Sequence, residues 1–390
     1  MNEIVAANIG QWRRVRGHDE RRPPEERDVT FPEFVSARSG PAERGREFGV
    51  RWSTEIAAAH TGYMTLFETL GGGTARVRAL SEEALAQTTA WAPPLGAEIR
   101  AIAAGAGLEP WRIASVNART EILAALNAPV RSECSTAVVL PDGAPPRTVQ
   151  TWDWHDVMRD VPVVWAYEPR PGHRVRTFTE FGALAKVGVN GAGLGVHFNI
   201  LGHASDGGAT GVPVHMIARR VLDEAATLED AERIARSART SASTAITVVT
   251  YDGRRGRAAT LEICPDGVGV VPPDRDGVLL HTNHFEDPGL AAGEAGGDEL
   301  PGSRARLGHL RSRTRALTAP TPRERADALI GHAPGDAPVC AHPTSADPSR
   351  PRWETLATIS LDVDAGALDI HKGGPCLATQ ASWRRYPRDV

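Results

Sequence analysis

Cysteine is scarce in this chain. Its 390 residues include four, Cys134, Cys264, Cys340 and Cys376, far apart and with no Cys-x-x-Cys pair. That argues against a disulfide framework and against zinc-finger spacing. Long hydrophobic runs are missing as well. No stretch approaches the roughly 20 apolar residues of a membrane helix, and MNEIVAANIGQWRRVRGHDERRPPEE holds no apolar run of signal-peptide length. Nor does one sign of charge dominate. The formal net charge is -4 and the pI about 6.4, which gives no surface for nucleic acid or anionic membrane. Lysine is rare beside arginine, and Ala, Gly and Pro are abundant, a bias that reads as GC-rich coding. Together these absences predict a soluble cytoplasmic protein with reduced thiols. What is present is apolar content of 41%, enough for a sizeable core.

Periodicity divides the chain. Residues 1–30 are polar and charged, and read as extended. From Pro32 to Leu126 apolar residues recur at three- and four-residue spacing, which predicts helices. Gly71 to Gly73 end one helix, another starts near Ser81, and a last one runs from about Pro110. After Pro129 the texture becomes that of strands: CSTAVVLP, RTVQTWDWH, VVWAYEP, VRTFTEFG and AKVGVNGAGLGVHFNIL. A helix pair follows in GVPVHMIARRVLDEAATLEDAERIARSA, with Thr227 as N-cap ahead of Glu229 and Asp230. Strands return in STAITVVTYDG, AATLEICPDG and GVLLHTNHF. Residues 286–304 read as a loop, helices run to about Ile330, and TLATISLDVDAGALDIHKG is a hairpin turning at Asp364–Gly366. Gly191, Gly193 and Gly195 serve tight turns. They lack the spacing and the lysine of a phosphate loop. Strand runs separated by a helix pair suit two packed sheets covered by helices.

Cys134, in RSECSTAVV, opens a strand directly after a helix and a short loop. On residues alone, a lone cysteine reads first as a buried, inert small hydrophobe, and Cys264, Cys340 and Cys376 fit that reading. Position gives Cys134 a second possibility. If the Glu133–Cys134 bond breaks, one residue carries both a thiol and a free α-amine. That amine, with a pKa of about 7.7–8, is a usable base near neutrality. The thiol can then form a thioester.

The neighbourhood of Cys134 resembles the isopenicillin N acyltransferase family of autoproteolytic N-terminal-nucleophile cysteine hydrolases. NARTEI, SECSTAVV, WDWH, KVGVNGAGLGVHFN, GVPVHMIARRVLDEA, LEICPDG, LLHTNHF and TLATISLDV occur in the family's order between about Pro32 and Cys376. The resemblance implies an α+β fold, a four-layer αββα sandwich. It implies a segment 1–133 that is released or kept as a small subunit, and a catalytic chain 134–390, the two forming one domain and a heterodimer. It makes Cys134 the nucleophile, Asp153 the holder of the α-amine and Asn283 the oxyanion donor. Asn199, Trp152 and His284 become pocket or oxyanion residues, and Asn117, Arg119 and Glu121 a structural polar cluster with Asn117 and Glu121 on one helical face.

The expected substrate is a small N-acyl amine, amide or acyl thioester, with no cofactor and no metal. His155, His197, His203, His281 and His284 read as pocket-lining or satisfied strand histidines. The chain departs from the family at three places. Glu133 stands where glycine is common, and Gln150 where bile-salt and penicillin V hydrolases carry arginine. SRPRWETLAT offers no match for the acyltransferase's functional serine. Two other readings are an uncleaved Cys/His acyltransferase or thioesterase, and an inactive binding protein on the same fold.

Overall fold

The computed structural model describes residues 30–37, 40–127, 134–295, 301–331, 337, 339–342 and 352–387. The N-terminal stretch read as extended lies almost wholly outside them. The first element is β1 (Glu33–Val35). Six helices follow: α1 (Pro41–Arg51), α2 (Ser53–Thr69), α3 (Thr74–Trp91), α4 (Pro93–Ala106), α5 (Pro110–Asn117) and α6 (Arg119–Ala125). The next run is β2 (Ser135–Val139), β3 (Arg147–His155), β4 (Pro162–Arg170), β5 (His173–Glu180), β6 (Val187–Asn190) and β7 (Leu194–Ile200). After α7 (Val214–Glu224) and α8 (Leu228–Arg236) come β8 (Thr244–Tyr251), β9 (Gly256–Cys264), β10 (Gly267–Val271) and β11 (Val278–His281). The chain closes with α9 (Pro288–Ala291), α10 (Pro301–Ser312), α11 (Thr314–Leu317), α12 (Pro322–Ala326), β12 (Trp353–Asp362), β13 (Ala367–Lys372) and β14 (Trp383–Tyr386).

The strands form two sheets. One has the order β1-β4-β5-β6-β7-β8-β9-β10, the other β11-β2-β3-β12-β13-β14. Every described pairing is antiparallel except β1 with β4. The sheets meet face to face where β2 lies on β7 and β12 and β13 lie on β5 and β6. Helices α7 and α8 cover the outer face of the first sheet, and α10 to α12 that of the second. This is the αββα order expected above. Gly195 shows how closely the sheets approach. A Cβ there would sit 2.9 Å from both Leu361 of β12 and Val363 in the turn just after it. Gly195 therefore serves sheet packing, whereas Gly193, at φ 78°, makes the turn.

Several expectations are corrected. The stretch from Pro32 is not helical throughout, because β1 comes first; three residues are too few to show a period. Ser81 does not start a helix. It lies inside α3 and donates its hydroxyl to the Val77 carbonyl. Asn117 and Glu121 do not share one helix, since the chain breaks at Ala118 between α5 and α6. The stretch 286–304 is not all loop: Asp287 caps α9, and α10 begins at Pro301. Thr227 is the N-cap of α8 as expected, accepting from the Asp230 amide.

The layers before and after position 134 share one hydrophobic core. A buried charge network also ties them together. Glu98 on α4 takes Arg44 of α1 at 2.6 Å and Arg219 of α7 at 2.9 Å, and Arg219 also meets Asp223 at 2.9 Å. Removing one partner of such a network is costly because charge is left in a dry interior. Glu98→Ala is expected to lower unfolding free energy by about 3–5 kcal/mol, measured by urea denaturation. A loss below about 1 kcal/mol, the value of an exposed pair, would contradict this.

Candidate active site

Cys134 directly precedes β2 and is 3% exposed. The antiparallel register sets Ser135 opposite Thr151, so the cysteine comes down beside the WDWH stretch of β3. Its Sγ lies 3.9 Å from the Asp153 carbonyl oxygen. The Cys134 carbonyl oxygen accepts from Asn199 Nδ2 at 3.1 Å and from Arg306 Nη1 at 2.9 Å. Asn199 comes from the end of β7 in the other sheet, and Arg306 from α10 in the outer layer. Two layers therefore converge on one peptide carbonyl.

Arg306 is a hub. Nη1 also donates to Ser135 Oγ at 2.9 Å, and Nη2 donates to Asn283 Oδ1 at 2.9 Å. Asn283 follows β11 and is fixed further by its Nδ2 on the Ile200 carbonyl and its backbone N–H on Ser303 Oγ, both at 2.8 Å. His284 does not join Cys134. Its Nδ1 meets Ser303 Oγ and its Nε2 meets Glu286, so it supports the segment that carries Asn283. Asn199 Oδ1 accepts from Thr136 Oγ1 at 2.7 Å. Gln150 donates to Thr136 Oγ1 and the Phe198 carbonyl and faces His197 Nδ1 through its Oε1. It belongs to the scaffold behind Asn199. Asp153 is fully buried on β3, opposite Thr355 of β12.

Lys186, which the sequence reading passed over, lies under the same site. It is one of only two lysines in the chain. Nζ sits 2.8 Å from Glu180 Oε2 and 3.6 Å from the centre of the Trp152 ring. Burial, reinforced by Arg119 and opposed by the Glu180 carboxylate, pushes Lys186 down to about 7. A negative charge on Cys134 would pull it back up, so the two groups are within electrostatic reach. Burial pushes Glu180 up, but Arg119 and Lys186 outweigh it and hold the carboxyl below its usual range. Glu180 also binds Arg119 Nη2 at 2.6 Å and accepts from Tyr63 OH at 2.5 Å. Trp152 thus floors the lysine, and Arg119 adds to the charge around it.

Asn117 and Glu121 are anchors. Asn117 accepts from the Leu184 amide and donates to the Gly182 and Ile113 carbonyls, which fixes the turn before Lys186. Glu121 Oε1 accepts from the Val214 amide at the start of α7, and burial pushes its carboxyl up to about 7. Four histidines are engaged elsewhere: His197 with Gln150, His203 with Ser205, His281 with Glu262, and His284 as above. His155 packs on Trp353, and burial, opposed by Asp156, pushes it down to about 4. Glu133 lies outside the described residues.

Cys340 and Cys376 are not separate buried thiols. Their Sγ atoms lie 3.4 Å apart, and His342 Nε2 is 3.3 Å from each.

The sequence profile of the acyl-coenzyme A:6-aminopenicillanic acid acyl-transferase family matches residues 144–369. The chain is 30% identical over 284 residues to the acyl-coenzyme A:6-aminopenicillanic-acid-acyltransferase 40 kDa form of Emericella nidulans, covering 71% of this chain and 75% of that one. Among solved structures, penicillin V acylase from Agrobacterium tumefaciens aligns with TM-score 0.38 and 16% identity over 60% of this chain and 82% of that one. A mutant of conjugated bile acid hydrolase from Clostridium perfringens aligns with TM-score 0.41 and 11% identity over 65% of this chain and 92% of that one.

A lysine cannot reproduce the planar fork by which Arg306 reaches Cys134, Ser135 and Asn283 together. Arg306→Lys is expected to lower unfolding free energy by about 1–3 kcal/mol through the donors lost to buried acceptors. Urea denaturation measures this, and an unchanged midpoint would contradict it.

Proposed function

This chain belongs to the acyl-coenzyme A:6-aminopenicillanic acid acyl-transferase family, and on that premise we propose that it cleaves itself before Cys134 and then moves acyl groups through a Cys134 thioester. The observation that carries the reading is the fixed carbonyl of Cys134, with its thiol buried beside Asp153 and within electrostatic reach of Lys186. A structural cysteine needs no such setting.

Before cleavage the α-amine is tied up in a peptide bond, so another base must take the thiol proton. Lys186 fills that role because, at about 7, part of it is neutral near physiological pH. Sγ attacks the carbonyl carbon of residue 133 while Lys186 takes the thiol proton. The C–N bond breaks and that proton passes to the leaving nitrogen, which becomes the α-amine of Cys134. Water hydrolyses the resulting thioester, leaving a carboxylate on residue 133 and a free thiol. The α-amine, held by Asp153, then serves as base for turnover. Asn283, set by Arg306, Ser303 and Ile200, is the oxyanion donor, a group that polarises without titrating. Asn199 positions the nucleophile's backbone.

In turnover the thiol attacks the acyl carbonyl of an N-acyl amine, amide or acyl thioester. The amine or thiol leaves with a proton, and water or an amine takes the acyl group. The segment before 134 stays with the catalytic chain as a small subunit, because its Arg119 and Tyr63 complete the Glu180 cluster beneath Lys186. The engaged histidines favour this mechanism over a Cys/His pair.

The purified chain is expected to give two masses, residues 1–133 and 134–390, and Cys134→Ala to remain one chain of 41.7 kDa. An active, wholly uncleaved protein would overturn the proposal. The neutral fraction of Lys186 grows as pH rises through about 7, so cleavage should accelerate across that range and level off above it. Lys186→Arg, permanently charged, should lose this limb and cleave about 100- to 10,000-fold more slowly. Time courses by denaturing gel across pH measure this, and a pH profile unchanged by Lys186→Arg would remove the lysine from the mechanism.

A further inference from the structure

Cys340, His342 and Cys376 form the one group of three such residues among those described whose ligand atoms all fall within 4.8 Å of one another. They arrive from separate places. Cys340 and His342 lie in the segment ahead of β12, and Cys376 lies in the turn Pro375–Leu377 after β13. The local backbone is built for this approach. Thr355 of β12 donates its N–H to the Ala341 carbonyl, and its Oγ1 accepts from the Ala341 N–H, which holds 340–342 against the sheet. Gly374 leaves room for the sulfur, since a Cβ there would stand 2.8 Å from Cys340 Sγ.

The edges of the triangle, 3.4, 3.3 and 3.3 Å, decide what it suits. Around a tetrahedral zinc with bonds of about 2.3 Å to sulfur and 2.0 Å to nitrogen, S···S is about 3.8 Å and S···N about 3.5 Å. The side chains would open by a few tenths of an ångström. A disulfide needs the sulfurs at about 2.05 Å, a much larger movement. Two thiolates and one imidazole select a borderline-soft divalent ion over magnesium or calcium.

We propose that Cys340 Sγ, Cys376 Sγ and His342 Nε2 bind one zinc ion, with water as the fourth ligand on the exposed side of His342. Binding converts two thiols to thiolates and releases two protons, leaving a site of no net charge. The ion fastens the segment 340–342 and the turn after β13 to the end of the second sheet. Thr355, which holds that segment, is the register partner of Asp153. The zinc therefore steadies the strand pair that carries Asp153, from outside the reaction centre. The site does not depend on the acyl-transfer reading.

The test is metal content of the full chain, purified under reducing conditions, dialysed against zinc and then against metal-free buffer. It is run in the wild type and in a Cys134→Ala background, where the nucleophile thiol cannot contribute. Near one zinc per chain is expected by elemental mass spectrometry, with cobalt substitution giving thiolate-to-metal charge-transfer absorption. Cys340→Ser, His342→Ala and Cys376→Ser should each lose the zinc and the absorption, while Cys264→Ser, a buried thiol in another cluster, should keep both. If any of the three variants fails to fold by circular dichroism, titration of the folded Cys134→Ala chain with cobalt alone decides. Zinc well below one per chain, zinc retained by folded ligand variants, or a Cys340–Cys376 disulfide in freshly isolated protein would overturn the proposal.

Discussion

The peptide carbonyl of Cys134 is held still by donors fixed from outside its own strand. At Cys134 both donors come from other layers. Asn199 reaches across from the facing sheet, and Arg306 reaches in from the helix that covers the second sheet. Neither could act unless the sheets were close-packed, which Gly195 permits, and unless α10 lay over β2 and β11. The same guanidinium holds Asn283, so Cys134 and Asn283 share one reference point. Preorganisation of this kind matters because small misplacements of reacting groups are expensive in rate.

The second constraint is electrostatic. Lys186 sits in a dry site with an acid on one side, a tryptophan face below and another cation nearby. Burial and Arg119 lower its affinity for a proton; Glu180 restores part of it. The balance leaves a lysine whose charge changes near neutral pH, which an exposed lysine cannot do. Arg119 and Tyr63 belong to the segment before Cys134, and the Arg44–Glu98–Arg219 network binds that segment to α7. The residues upstream of Cys134 are thus part of the surroundings of Lys186.

Much of this was legible in the sequence. Alternation and Asp-Gly turns marked the strands, three- and four-residue spacing marked the helices, and the order of motifs pointed to the family, from which the proposed roles of Cys134, Asp153 and Asn283 come. What stayed hidden depends on contacts between distant residues. Arg306 sits in GSRARLGHL among other arginines, with nothing local to separate it from a solvated one. Lys186 had a signal, its rarity, which coding bias masked. Cys340 and Cys376 are 36 residues apart, so spacing could exclude only a local zinc motif, not one assembled by a hairpin. The three-residue β1 and the break at Ala118 fell below the length at which periodicity speaks.

The central claim is that the thiol of a newly formed N-terminal Cys134 carries the acyl group. Processed protein is mixed with a panel of N-acyl amines and acyl thioesters, quenched in acid and mapped by peptide mass spectrometry. The account predicts an acyl adduct on the peptide that begins with Cys134. Turnover with the adduct on another residue, or on a peptide that still spans the 133–134 bond, would contradict it.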